Sequence, residues 1–287
     1  MTDIIPSRVV QLPGPSGLPM LKIANEFATA EVLLHGGHVL SFQPAGAAPV
    51  LWMSPRSPFA EGKAVRGGVP VCWPWFGPDP RGMHGLARYT AWQLAEAAQL
   101  ADGRTRITLA LTANAATRAL WPFAFRLELA VTVGRELELA LTATNTDQTP
   151  WSWHGALHTY FAVADARRTQ VEGLDGCAYL DAPSTGPLRN AVQSGPVDFK
   201  DEVNRRYFET DRMLILADGV RRIRVTKSGS NASVVWNAGA ASAANMAEIG
   251  DLWPGYVCIE AAVFGDGRVD LLPGCAWTLR QIIALEP

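Results

Sequence analysis

In WSWHGALHTYF, residues 151–161, two histidines, His154 and His158, stand four apart among aromatic residues. That spacing suits two chemistries: half of a metal site if both rings turn to one ion, or acid–base catalysis if one ring titrates near neutrality. The segment follows Thr149-Pro150 in a chain dominated by period-two patterns, so it reads as strand. Residues four apart on a strand are ~13 Å from each other at about 3.3 Å per residue. Two zinc ligands must each lie within about 2.1 Å of the ion. Shared ligation therefore needs a helix or a sharp bulge at Gly155, and no neighbouring carboxylate completes a set. In a regular strand His154, His158 and Tyr160 share one face. Either histidine also fits the role of an ordinary, partly buried residue.

Two further stretches carry candidate chemistry. YVCIEAAVF (256–264) sets Glu260 in an otherwise apolar strand. A carboxylate there either turns to solvent or stays on the face of Cys258 and Ala262, where burial raises its pKa as a general base requires. VRGGVPVCWPWFGPDPRGMHGLAR (65–88) has no regular period and holds Arg66, Arg81, Arg88 and His84. So many turn formers make a loop. Cys72, Trp73, Trp75 and Phe76 are too apolar for water, so the loop is expected to pack on a sheet and line a cleft. A structural plug with solvated arginines accounts for the same residues. His35-Gly36-Gly37-His38 would face its rings opposite ways in a strand, and both read as turn and surface residues. That also disfavours a cupin-like metal site built from His35, His38 and His154. FKDEVNRRYFET (199–210) reads as a polar turn leading into a strand.

The elements that must position these residues are β. RTRITLALT (104–112), FRLELAVTV (125–133) and RELELALTATNTD (135–147) alternate strictly, with Gly134 as a turn, which is a meander signal. Further strands are expected at 20–26, 29–34, 38–43, 169–173, 213–217, 221–227, 232–236, 256–263 and 277–284. Only AASAANMAEIG (240–250) has helical character. With 26 Gly and 20 Pro as punctuation and no linker, the 287 residues read as one all-β domain, 1–287: a large antiparallel β-sandwich with very little helix. A formal charge of −2 gives no electrostatic case for nucleic acid or an anionic membrane. No apolar run is long enough for a membrane span and the start MTDIIPSRVVQLPGPSG lacks a signal segment. Cys72, Cys177, Cys258 and Cys275 form no CxxC pair and read as reduced thiols of a cytoplasmic protein.

Taken together, RGGVPVCWPWFG (66–77), HGLAR (84–88) with Trp92, LHTYF (157–161), GLDGCAYLD, DEVNRRY (201–207), VVWN (234–237) and VCIEAAV (257–263) resemble the hexose-6-phosphate mutarotases of the galactose-mutarotase-like superfamily. The resemblance implies a β-supersandwich isomerase without metal or organic cofactor that interconverts the α and β anomers of a hexose 6-phosphate. It implies His158 and Glu260 as the acid–base pair and Arg66 and Arg88 as phosphate contacts, with His84, Trp73, Met83 and Asn204 also touching the sugar phosphate. It implies a monomer whose partner is that small molecule. Met83 and Asn204 depart from the family pattern, which has a polar residue such as Gln and an Asp there. Asn keeps a carbonyl acceptor and adds donors, so a hydroxyl contact survives the change. An aldose 1-epimerase acting on unphosphorylated sugar, or a non-catalytic sugar-phosphate binder, would use much of the same scaffold.

Overall fold

The computed structural model describes residues 8–208 and 212–286. The strict alternation of the meander is what builds the larger sheet. Thr105–Thr112, Phe125–Val133 and Glu136–Asn145 pair antiparallel in sequence order. Gln93–Gln99 extends them on one side; Ala276–Leu285, Arg222–Ser228, Leu214–Ala217, Gln170–Glu172 and Val197–Asp198 extend them on the other, giving nine strands. An eight-stranded antiparallel sheet runs Arg189–Val192, Ala178–Asp181, Val203–Phe208, Ala232–Asn237, Tyr256–Val263, Gly155–Leu157, Val71–Cys72, with Tyr160–Ala162 also on Tyr256–Val263. Val9–Pro13, Pro19–Ala24, Ala28–Leu33 and His38–Pro44 form a separate four-stranded sheet. With 49% strand and 11% helix the architecture is all-β.

The two large sheets share one core. Leu127, Leu129, Val131 and Val133 from the meander meet Val257, Ile259, Ala261 and Val263 from the other sheet in a continuous buried cluster. Each Leu, Val or Ile among them removed from water contributes roughly 1.5–3 kcal/mol. The alternation that buries these odd-numbered residues sends Tyr256, Cys258, Glu260 and Ala262 to the opposite face of their strand.

Three sequence expectations change. WSWHGALHTYFAV is not one strand: Trp151–Trp153 pairs with Val269–Leu271, and the chain changes sheets at His154, whose N–H donates to the Pro74 carbonyl. A short helix, Ala115–Leu120, interrupts the meander; Asn114 and Thr117 cap it reciprocally, a signal present in the sequence as Asn-x-x-Thr. The helix expected over 240–250 is confined to Gly239–Ala243, followed by a 3₁₀ segment at Gly250–Gly255. The N-terminal MTDIIPS and the final ET of FKDEVNRRYFET lie outside the described residues.

Candidate active site

Register places the candidate residues in two parallel rungs across the outer face of the eight-stranded sheet. Arg206 pairs with Val234 and Val234 with Glu260. Gly155–Leu157 and Tyr160–Ala162 keep one register on Tyr256–Val263, so His158 falls opposite Glu260. The next rung runs Asn204, Trp236, Cys258, Tyr160. His158 Nε2 lies 3.4 Å from Glu260 Oε1. Glu260 is 1% exposed and its Oε2 has no hydrogen-bond partner among the described residues. His158 stacks on Tyr160, ring centres 4.9 Å apart and planes at 7°, with Trp236 edge-on to it at 5.9 Å.

Burial dominates the electrostatics of this pair. It holds Glu260 well above the ordinary carboxylate value, opposed by Arg206 and Arg88. It holds His158 well below the ordinary histidine value, reinforced by His84, Arg88 and Arg66. The carboxyl thus keeps a proton to higher pH and the imidazole sheds one at lower pH, so the neutral forms of both are favoured over a wide range.

A cavity of about 500 Å³ opens above the rungs. Its walls come from the 65–88 loop, which does pack on the sheet and line a cleft, and from the 56–66 and 240–250 segments. Arg66, His84, Met83 and Arg88 line it alongside His158, Glu260 and Asn204. Arg88 is buried, with its Nε unpartnered. Arg66 donates to the Tyr160 hydroxyl at 3.0 Å. His84 Nδ1 accepts from the Gly77 N–H at 3.1 Å, so the neutral ring carries its proton on Nε2; burial brings its pKa down to about 3. Among the described residues none of Arg66, Arg88 and Arg206 has a carboxylate within ion-pair distance.

One expected contact is misplaced. Trp73 is fully buried and packs on Trp121, Phe125 and Trp151, away from the cavity. A large indole in a loop crossing the end of a sandwich finds more apolar surface inside than at the rim. His35 and His38 are corrected too: both are buried, at 4% and 1% exposure, and bonded to backbone carbonyls. His154 is set apart from His158, packing against Phe264. No group of three or more potential metal ligands occurs among the described residues. Lys63, Arg206, Trp236 and Glu248 also line the cavity and were not anticipated. For Trp236 the signal was available, since it alternates with core residues in the expected strand 232–236; Arg206 lies in Val203–Phe208, a stretch that reads from sequence as a polar turn.

Residues 19–284 match the family model described as Aldose 1-epimerase. A protein of Escherichia coli (strain K12) named "Putative glucose-6-phosphate 1-epimerase" is 35% identical over 251 residues, covering 85% of this chain and 83% of that one. One of the same name from Cenchrus ciliaris is 31% identical over 286 residues, covering 95% and 86%. The crystal structure of "a putative mutarotase" from Salmonella typhimurium superposes with a TM-score of 0.90 at 29% identity, covering 99% of this chain and 95% of that one. A galactose mutarotase related enzyme from Lactobacillus acidophilus shares the fold, with a TM-score of 0.73 at 16% identity. This chain belongs to the aldose 1-epimerase family and is an isomerase of the mutarotase type.

Proposed function

We propose that the protein interconverts the α and β anomers of a hexose 6-phosphate, with glucose 6-phosphate as the first candidate. The carrying observation is the His158–Glu260 pair at the floor of a cavity whose arginines have no carboxylate partner among the described residues. Anomerisation removes the proton from the C1 hydroxyl and delivers one to the ring oxygen. The C1–O5 bond breaks, and a free aldehyde and a C5 hydroxyl result. Rotation about C1–C2 and reclosure on the other carbonyl face reverse both transfers. The reaction needs one donor and one acceptor at all times, which the one-proton form of the pair supplies. We assign His158 as the acid and Glu260 as the base in ring opening, acting from the arrangement in which the pair's one proton sits on His158. Opening leaves a proton on Glu260 instead, the neutral arrangement that burial favours, and the roles are exchanged on closure. Trp236, which lines the cavity, offers an aromatic ring to the sugar.

Arg66 and Arg88 are the proposed phosphate contacts, since guanidinium forks pair with phosphate oxygens through charge-assisted hydrogen bonds. Asn204, which lines the cavity on the rung beside Glu260, is the proposed contact for sugar hydroxyls, and Met83 and His84 form the adjoining wall. We take the chain to act as one monomeric domain in the cytoplasm; among the described residues no helix is long and apolar enough to cross a membrane. The test is the ratio of kcat/KM for glucose 6-phosphate over glucose. It should be large in the wild type and fall about ten- to hundredfold in Arg66→Ala and Arg88→Ala, through KM. A wild-type ratio near one, unmoved by either substitution, would favour a plain aldose 1-epimerase.

A further inference from the structure

Two motifs are not accounted for by the acid–base pair: His35-Gly36-Gly37-His38, and the glycine pair that follows Arg66. They interlock. His35 Nε2 is 2.8 Å from the Lys63 carbonyl oxygen, and His38 Nε2 is 2.8 Å from that of Gly67. A carbonyl only accepts, so both rings carry their proton on Nε2. The two carbonyls bracket Arg66 in the chain. Gly68 has φ +57°, and a Cβ there would fall 2.2 Å from the Val39 carbonyl oxygen and 2.9 Å from His38 Nε2. Any side chain at this position would lift the arginine-bearing segment off the histidine.

His35, Gly36 and Gly37 also touch the segment that carries Arg88. The Gly36 N–H donates to the Thr90 carbonyl at 2.8 Å, and His35 bridges Ala91. A Cβ on Gly36 would lie 2.9 Å from the carbonyl oxygen of Arg88, and one on Gly37 would lie 3.0 Å from the Trp92 ring. One turn therefore holds the backbone of both segments whose side chains converge on the cavity.

We infer that His35-Gly36-Gly37-His38 is a positioning turn that fixes the spacing between Arg66 and Arg88 and thereby sets the preference for phosphorylated over free sugar. This rests on the reading of those arginines as phosphate contacts. None of the four residues lines the cavity, so they act through the segments that do, which carry Arg66, Arg88 and, at the His35 bond, Lys63. Arg66 is further tied by the Ser57 hydroxyl, which accepts its backbone N–H at 2.8 Å, and by Tyr160 at its head. A shift of its backbone therefore strains the guanidinium's alignment rather than being absorbed by a free side chain.

The experiment measures kcat and KM for glucose 6-phosphate and for glucose, and the inhibition constant of inorganic phosphate. The variants are His35→Ala, His38→Ala, His38→Gln and Gly36→Ala, with Arg66→Ala and Arg88→Ala alongside. The two alanine substitutions of histidine should raise KM for the phosphorylated sugar and weaken phosphate inhibition about tenfold, part of what a charge-assisted bond contributes. Turnover of glucose should stay at the wild-type level. His38→Gln keeps a side-chain N–H donor and should recover most of the loss. Gly36→Ala changes neither histidine; at φ +79° it strains the turn and sets a Cβ against the Arg88 carbonyl. It should lower the phosphate preference by roughly threefold or more, and, where it folds, it decides the matter if the histidine variants do not. If the arginine variants lose the preference while folded turn variants keep it, the positioning role is wrong and the phosphate reading stands. If the arginine variants also keep it, the phosphate reading is wrong and the inference falls with it.

Discussion

Each of the two central residues does little alone. Glu260, buried and raised, is a poor carboxylate; His158, buried and lowered, is a poor imidazolium. Lying 3.4 Å apart, they are within ion-pair distance, so they titrate as a pair. His158→Asn and Glu260→Gln should each lose about 10²–10⁴-fold in anomerisation rate while remaining folded, the range typical of general acid–base groups. A variant of either kind with wild-type turnover would remove that residue from the chemistry. The pH profile follows from the same directions. Adding a second proton to the pair requires charging His158, so activity should fall on the acid side only below the ordinary value of 6.5. Losing the last proton requires ionising Glu260, so the basic limb lies above the ordinary value of 4.5. Arg206 opposes the burial effect on Glu260, so Arg206→Gln should move the basic limb of kcat to higher pH. A limb that stays in place would mean Arg206 does not govern that proton.

At the scale of elements, the pair is aligned by a contact from the opposite sheet. His158 and Glu260 face the cavity, so their neighbours Thr159 and Ile259 face the core. There the Thr159 hydroxyl donates to Gln281 Oε1, and Gln281 Nε2 donates to the Ile259 carbonyl at 3.0 Å. Gln281 and Thr159 are fully buried, and burying an amide and a hydroxyl is costly unless both are bonded. Gln281→Leu and Thr159→Val should therefore lower kcat by roughly ten- to hundredfold with KM little changed, as a displacement near 1 Å at a reacting group does. Equal kcat in folded variants would assign the contact to stability alone. How much of this was legible varies with the kind of element. Leu127, Leu129, Val131 and Val133 declared their face because alternation is local, and the strand 256–263 declared itself as a short, almost continuous apolar run. The short strands at 71–72, 203–208 and 269–271 did not, since their pairing is decided by distant partners. Whether Glu260 met solvent or a covered face was likewise undecidable until the 65–88 loop was seen to roof that face. Trp73 was misjudged because an aperiodic loop gives no rule for which of its aromatics turn inward, and His35 and His38 because their partners, Lys63 and Gly67, lie some thirty residues away.

On the scale of the molecule, buried neutral histidines link folding to pH. His38 is 1% exposed and burial brings its pKa down to about 3. Above pH 6.5 neither folded nor unfolded chain protonates it, and its place in the fold carries no penalty. Below 6.5 the unfolded chain takes up a proton that the folded one refuses, so stability falls by about 1.4 kcal/mol per pH unit until about pH 3. Glu260 has the opposite sign: its raised value makes the folded chain hold a proton that the unfolded chain releases above 4.5. Urea unfolding at pH 7, 6 and 5 should show a shallower decline in His38→Gln than in the wild type; parallel declines would mean that His38 titrates normally. The account's central claim, that this chain anomerises a hexose 6-phosphate through His158 and Glu260, is tested most directly by saturation-transfer NMR between the α and β anomeric protons of glucose 6-phosphate. The wild-type protein should transfer saturation between the two signals far faster than buffer, and Glu260→Gln and His158→Asn should reduce transfer toward the buffer rate. Wild-type transfer no faster than buffer, or undiminished transfer in both variants, would contradict it.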